Sequence, residues 1–185
     1  PDRRRSVSSL VDNIGVSGVP PRARTTVTEQ EAGAATVRFN FRGVGASAGQ
    51  HDRGVGELAD ALAVIDWTRQ YFDCDALWLG GFSFGAATAL QAAARGARPA
   101  KLVTIAPPVG RSWDFSGIEL PVAPWLVIQG EQDEIVDPQA VYQWLETLDA
   151  PHELVRMPET SHFFHRKLMD LRGAIKHAMK AYVPA

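Results

Sequence analysis

Residues 76–96 read ALWLGGFSFGAATALQAAARG, and their reading decides the fold. Ala76–Leu79 is a short apolar run, the length of a buried strand. Gly80 and Gly81 follow, and then a run of small residues, Phe84 to Arg95, that favours helix and is closed by Gly96 in the position glycine prefers beyond a helix end. Ser83 lies in the turn between strand and helix, with Gly81 and Gly85 two residues to either side. A serine on so sharp a turn takes a strained backbone conformation, and the flanking positions must be glycine or nearly so to avoid collision. The turn holds the hydroxyl clear of the sheet, and the helix N-terminus behind it favours developing negative charge.

Outward from this unit the alternation continues. Upstream, Ala34–Asn40 (AATVRFN) reads as a strand that ends in a glycine-rich turn, Arg42 to Gly56. In Glu57–Phe72, Leu58, Ala61, Leu62, Ile65, Thr68 and Phe72 recur at helical spacing. Downstream, Lys101–Ala106 (KLVTIA) and Trp125–Gln129 (WLVIQ) are apolar strands stopped by Pro107 and Gly130. Pro138–Leu148 is a helix with proline in its first turn and Asp137 as N-cap. His152–Met157 is the last strand and Lys167–Tyr182 the last helix. Strands alternating with helices of this length imply an α/β class, a mostly parallel sheet with helices on both faces. Right-handed crossovers then gather the carboxyl ends of the strands on one edge.

Composition narrows the class of function. The 185 residues suit one domain, two at most. With 45% hydrophobic and 22% charged residues, the chain is neither disordered, collagenous nor a coiled coil. No apolar run approaches the roughly 18 residues of a membrane span. Nineteen basic against 21 acidic residues leave no basic excess for nucleic acid. One cysteine, Cys74, makes no internal disulfide, so the expected setting is reducing and cytoplasmic.

Two further features follow strands. After Gln129 comes Gly130-Glu131-Gln132-Asp133-Glu134, in which Asp133 is the candidate acid and Glu131, Glu134 and Asp137 are rivals. After the last strand comes Thr160-Ser161-His162-Phe163-Phe164-His165. Ser83, Asp133 and His162 thus occur in the order Ser…Asp…His, each on a loop at the same sheet edge. In such a set His162 takes the serine proton, while Asp133 fixes the imidazole tautomer and stabilises the imidazolium. His165 reads as exposed. The acids and histidines have no metal-ligand spacing such as H-E-x-x-H, so no metal and no cofactor are expected. Gly43, Gly45 and Gly49 do not complete a dinucleotide or P-loop pattern and read as a turn beside the active edge.

The stretches FNFRGVGASAG, LGGFSFGAATAL, VIQGEQDEIVDP and ETSHFFHRKL make the chain resemble the α/β-hydrolases, in particular small lid-less bacterial serine hydrolases related to dienelactone hydrolases. The resemblance covers residues 34–185. It implies Ser83 as nucleophile, Asp133 as acid, His162 as base and the N–H of Phe84 as one oxyanion donor. Many dienelactone hydrolases carry cysteine at the elbow; serine here points away from that chemistry. The 18 residues from Pro107 to Pro124 leave no room for the cap that larger relatives insert, so the site should be open, lined by Phe82, Phe84, Trp113 and Phe163.

Residues 1–33 depart from that pattern. They hold no aromatic residue, carry Arg3, Arg4, Arg5, Arg22 and Arg24 among serines, and show neither a clean strand period nor a histidine. The resemblance implies a central strand before Ala34–Asn40, whose following loop gives the second oxyanion N–H. The expectation is therefore an atypical segment over 1–33, loosely ordered or altered (the sequence starts at Pro1 rather than Met), with some of residues 6–19 filling the missing strand as the alternative, ahead of a hydrolase domain over 34–185. The expected function is hydrolysis of a small carboxylic ester or thioester through an acyl-enzyme, with a rate that rises as His162 loses its proton. The alternative is a hydrolase-like scaffold that binds a protein partner and catalyses little. Peptidase or acyltransferase chemistry on the same triad stays open.

Overall fold

The computed structural model describes residues 7–11, 35–72, 76–110, 113–120 and 122–179. Its frame is a six-stranded sheet built from β1 (Val7–Val11), β2 (Ala35–Thr36), β3 (Leu77–Phe82), β4 (Lys101–Ile105), β5 (Trp125–Gly130) and β6 (His152–Met157). They lie in the order β2-β1-β3-β4-β5-β6, and every pairing is parallel. The helices are α1 (Val55–Phe72), α2 (Phe84–Ala92), α3 (Pro138–Glu146) and α4 (Leu168–Met179).

Alternation along the strands splits the core in two. Leu77 and Leu79 of β3, Leu102 of β4 and Trp125 and Val127 of β5 face Ala61, Val64 and Ile65 of α1, Ala87 and Leu90 of α2, and Val141 and Leu145 of α3. Val103, Ile105, Leu126 and Ile128 belong to a second cluster with Phe164 and with Leu171, Ala174 and Ile175 of α4. The sheet is thus covered on both faces, which is why β4 and β5 are mostly apolar and buried along their whole length.

Several element ends differ from the sequence expectation. β3 runs on through Gly80 and Gly81, because their backbone groups pair with Val103 and Thr104 on one side and Leu10 and Val11 on the other. The α2 helix ends at Ala92 in a wide turn, Ala93–Ala97, with Gly96 at φ 93°. Asp137 caps α3 as expected, accepting the N–H of Gln139 at 3.0 Å. The structure describes α4 as far as Met179, so the expected continuation to Tyr182 lies outside the described residues.

One expectation is corrected. The sequence shows no apolar strand within residues 1–33 and favours an altered segment over filling of the gap by some of residues 6–19, yet Val7–Val11 (VSSLV) forms a strand and occupies the central place between β2 and β3, in register from Val7↔Leu77 to Val11↔Gly81. Two serines break the apolar run by which a buried parallel strand is recognised. The ladder is made by backbone N–H and C=O groups, however, and the open edge of β3 supplies their partners whatever the side chains. The remainder of that segment, with the loop expected to give the second oxyanion N–H, lies outside the described residues, as does Cys74.

Strand order reverses at β1, which has β2 on one side and β3 on the other. In open parallel sheets the crevice at such a reversal, beyond the carboxyl ends of the strands, is where ligands bind. Ser83 is the first residue after β3.

Candidate active site

Ser83 has φ 50° and ψ −115°, a left-handed conformation that non-glycine residues rarely adopt. It is held there from both sides: its N–H donates to Ile105 O at 2.8 Å, and its carbonyl accepts from Ala87 N–H at 3.1 Å. Gly81 makes the turn possible. A Cβ at that position would stand 2.1 Å from the carbonyl oxygen of Gly85 and 2.6 Å from the nitrogen of Ala86, both backbone atoms of the helix start. Gly81→Ala is accordingly expected to cost about 3 kcal/mol or more, since an overpacked contact against backbone has no soft way out. Urea unfolding of the variant beside the wild type checks this, and equal midpoints would contradict it.

The three sequence candidates converge. His162 Nε2 lies 3.1 Å from Ser83 Oγ, and His162 Nδ1 lies 2.8 Å from Asp133 Oδ2. His162 is 2% exposed and Asp133 8%. Asp133 Oδ1 accepts the N–H groups of Ile135 at 2.9 Å and Val136 at 2.7 Å, and Oδ2 also accepts from Gln129 Nε2 at 3.0 Å. Burial pushes this carboxyl up, but the hydrogen bond from His162 and those from Val136 and Ile135 outweigh it and hold the group below its ordinary value. An ionised carboxylate only accepts, so His162 Nδ1 carries the proton and Nε2 presents its lone pair to the serine hydroxyl. This is an arrangement that can take a proton from Ser83 and hold it.

The rivals for the acid do other work or none here. Glu134 Oε2 accepts the backbone N–H of His162 at 3.0 Å, tying the acid loop to the base loop. That bond is the main reason the Glu134 carboxyl lies below its ordinary value. Glu131 is exposed, and Asp137 caps α3. Gly130 lets the two loops close up: a Cβ there would meet Thr160 O at 2.4 Å. Gln132 N–H reaches the same carbonyl at 3.0 Å.

The base loop carries strain of its own. Phe164 is 2% exposed yet has φ 54°, an outlier for a bulky residue, and its ring meets that of Phe82 edge to face at 6.3 Å. Burial of that ring fixes the turn that delivers His162. Neither this anchor nor the support from Gln129 and Glu134 was legible in the sequence, because loop geometry decides them and no residue spacing records it.

The aromatic candidates separate into two groups. Phe82 and Phe163 flank the base, with ring centroids 4.9 Å and 5.1 Å from His162, and Phe163 is half exposed. Phe84 packs between Phe41 at 4.7 Å and Trp113 at 5.4 Å, so Trp113 reaches the site through Phe84 and makes no ring contact with the base among the described residues. The Phe84 N–H is the first of α2, where helix amides lack intrahelical acceptors and point outward. His165 is exposed, as expected. Among the described residues no helix is long and apolar enough to cross a membrane.

The lowered pKa of Asp133 gives stability a definite pH dependence. The group is more acidic in the folded chain than in the unfolded one, whose aspartates titrate near pH ~3.9. Its contribution is therefore present above that value and lost as pH falls through the folded one. The wild-type advantage over Asp133→Asn in urea unfolding is expected to hold down to about pH 5 and to shrink as pH falls further, through and below about 3.9. An advantage that grew on acidification would contradict the assigned direction.

Comparison with known proteins adds to this geometry. The model of the X-Pro dipeptidyl-peptidase (S15) family matches residues 20–118. The chain is similar to an α/β serine hydrolase without lid from Xanthomonas campestris, at 50% identity over 100% of this chain and 87% of that one, with TM-score 0.81. An α/β serine hydrolase homologue from Coxiella burnetii is 37% identical over 94% of this chain and 85% of its own, with TM-score 0.79. An uncharacterized protein of Rickettsia prowazekii is 34% identical over 151 residues, 77% of this chain; the chain spans 63% of that curated relative's length.

Proposed function

Because the chain belongs to the α/β-hydrolase superfamily, with the X-Pro dipeptidyl-peptidase (S15) family and the lid-less α/β serine hydrolases, we propose that it cleaves small carboxylic esters or thioesters through an acyl-enzyme on Ser83. The observation that carries this is the continuous chain of hydrogen bonds from Ser83 Oγ through both nitrogens of His162 to Asp133, two of its three members buried.

His162 Nε2 accepts the Ser83 proton as Oγ attacks the carbonyl carbon, and the imidazolium so formed is stabilised by the Asp133 carboxylate. The negative charge that develops on the carbonyl oxygen is met by the Phe84 N–H at the start of α2. His162 then returns the proton to the leaving alcohol or thiol, and the acyl group stays on Ser83. A water activated by the same Nε2 releases the acid. Phe82 and Phe163 offer apolar walls beside the base, and Trp113 supports Phe84, which suits a short acyl or aryl group more than a charged one. The proposed setting is the cytoplasm, with a small-molecule substrate and neither nucleic acid nor membrane as partner.

The family match favours a second reading, in which the same triad cleaves an amide bond after proline. Turnover of p-nitrophenyl acetate and butyrate, of a butyryl thioester and of an X-Pro p-nitroanilide separates the two. Ester or thioester kcat/KM well above that of the anilide is expected. The reverse order would transfer the assignment to a peptidase. Absence of all turnover, together with a stable hetero-complex, would favour the partner-binding scaffold.

A further inference from the structure

A second imidazole–carboxylate pair stands on the loop after β2, at the sheet edge that carries the triad. His51 Nδ1 lies 2.8 Å from Glu57 Oε1. Glu57, in the first turn of α1, is fully buried. Its two oxygens also accept the N–H groups of Asp52 and Gly54, each at 2.8 Å. Burial pushes the Glu57 carboxyl up, but the backbone N–H bonds and His51 outweigh it and keep the group below its ordinary range, hence ionised. As with His162, an ionised carboxylate can only accept, so His51 donates to Glu57 through Nδ1, which leaves Nε2 as the ring's acceptor nitrogen. The side chain is 61% exposed, and its ring lies 5.4 Å from that of Phe84, the residue next to Ser83.

We propose that His51 is a specificity residue of the Ser83 site, its Nε2 accepting a hydrogen bond from a hydroxyl group on the substrate. Hydroxyl-bearing esters are then the preferred class. The inference rests on the ester-cleaving reading only in placing substrate at Ser83. Glu57 fixes both the tautomer and the loop, so the acceptor is already oriented in the free protein and little freedom is lost when a donor arrives. Phe84, seated between Phe41, Trp113 and His51, gives the carbon skeleton an aromatic floor beside the polar contact.

The test is calorimetric binding to Ser83→Ala, which cannot acylate, of two isosteric ester pairs. These are ethylene glycol monobutyrate against propyl butyrate, and ethyl β-hydroxybutyrate against ethyl isovalerate. In at least one pair the hydroxylated ester should bind about five-fold more tightly, the size of one net hydrogen bond. That preference should vanish when His51→Phe is added. It should survive in part with His51→Gln, whose amide oxygen still accepts. Equal or undetectable binding within both pairs, or a preference that persists in His51→Phe, overturns the proposal. Wild-type turnover, measured separately, keeps the two readings apart. Preference without turnover sinks ester cleavage and leaves the role of His51, whereas turnover without preference does the opposite.

Discussion

Replacing Ser83 by alanine is expected to lower ester kcat/KM by about 10⁴-fold or more, since loss of a triad nucleophile removes the covalent route and leaves only binding and oxyanion stabilisation. The fold should survive the change. Ser83 is held by its backbone, through Ile105 O and Ala87 N–H, and its side-chain hydrogen bond among the described residues is the one to His162. Alanine also tolerates the φ of 50° no worse than serine does, so the strain of the elbow is unchanged. Urea unfolding within about 1 kcal/mol of the wild type should accompany the lost activity. Ester turnover that persisted in a folded Ser83→Ala chain would remove Ser83 from the mechanism.

Asp133→Asn should do nearly as much damage by a different route. The asparagine oxygen can keep the N–H groups of Ile135 and Val136, which now bond Oδ1. Its amide NH₂ then faces His162 Nδ1 and Gln129 Nε2, where Oδ2 accepts in the wild type. A donor opposite Nδ1 draws the lone pair to that nitrogen and sends the proton to Nε2, which can no longer take one from Ser83. A loss of about 10³–10⁴ in kcat is the expected result, with much less change in KM. The loss should ease at high pH, where hydroxide can replace the missing base. A variant within ten-fold of wild type would return Glu134, the other carboxylate that touches His162, to contention as the acid.

How far the sequence alone reached is decided residue by residue. The strand–turn–helix around Ser83 was legible because its constraint is local: Gly81 must approach the backbone of Gly85 and Ala86, and only glycine permits that. Asp133 and His162 were legible through their places after β5 and β6, since parallel topology alone brings those loops to the edge where Ser83 stands. Val7–Val11 was not singled out within residues 6–19 because Ser8 and Ser9 interrupt the apolar signal, while the pairing that makes it a strand belongs to β2 and β3. His51 and Glu57 were missed for a related reason. Nothing in the spacing of a histidine and a glutamate six residues apart shows that the glutamate folds inward under the loop and the imidazole stays outside. The pair became visible once burial and hydrogen-bond partners were known.

The central claim, that Ser83 is a hydroxyl activated by His162, is tested most directly by reaction with a fluorophosphonate followed by intact mass and peptide mapping. The reagent bonds covalently to serines whose proton is being taken by a neighbouring base and leaves ordinary surface serines untouched. A single adduct on the peptide containing Ser83, absent from Ser83→Ala and from His162→Ala, is the result expected. A cooperatively folded chain that stays unlabelled, or that is labelled at another serine, would contradict the claim.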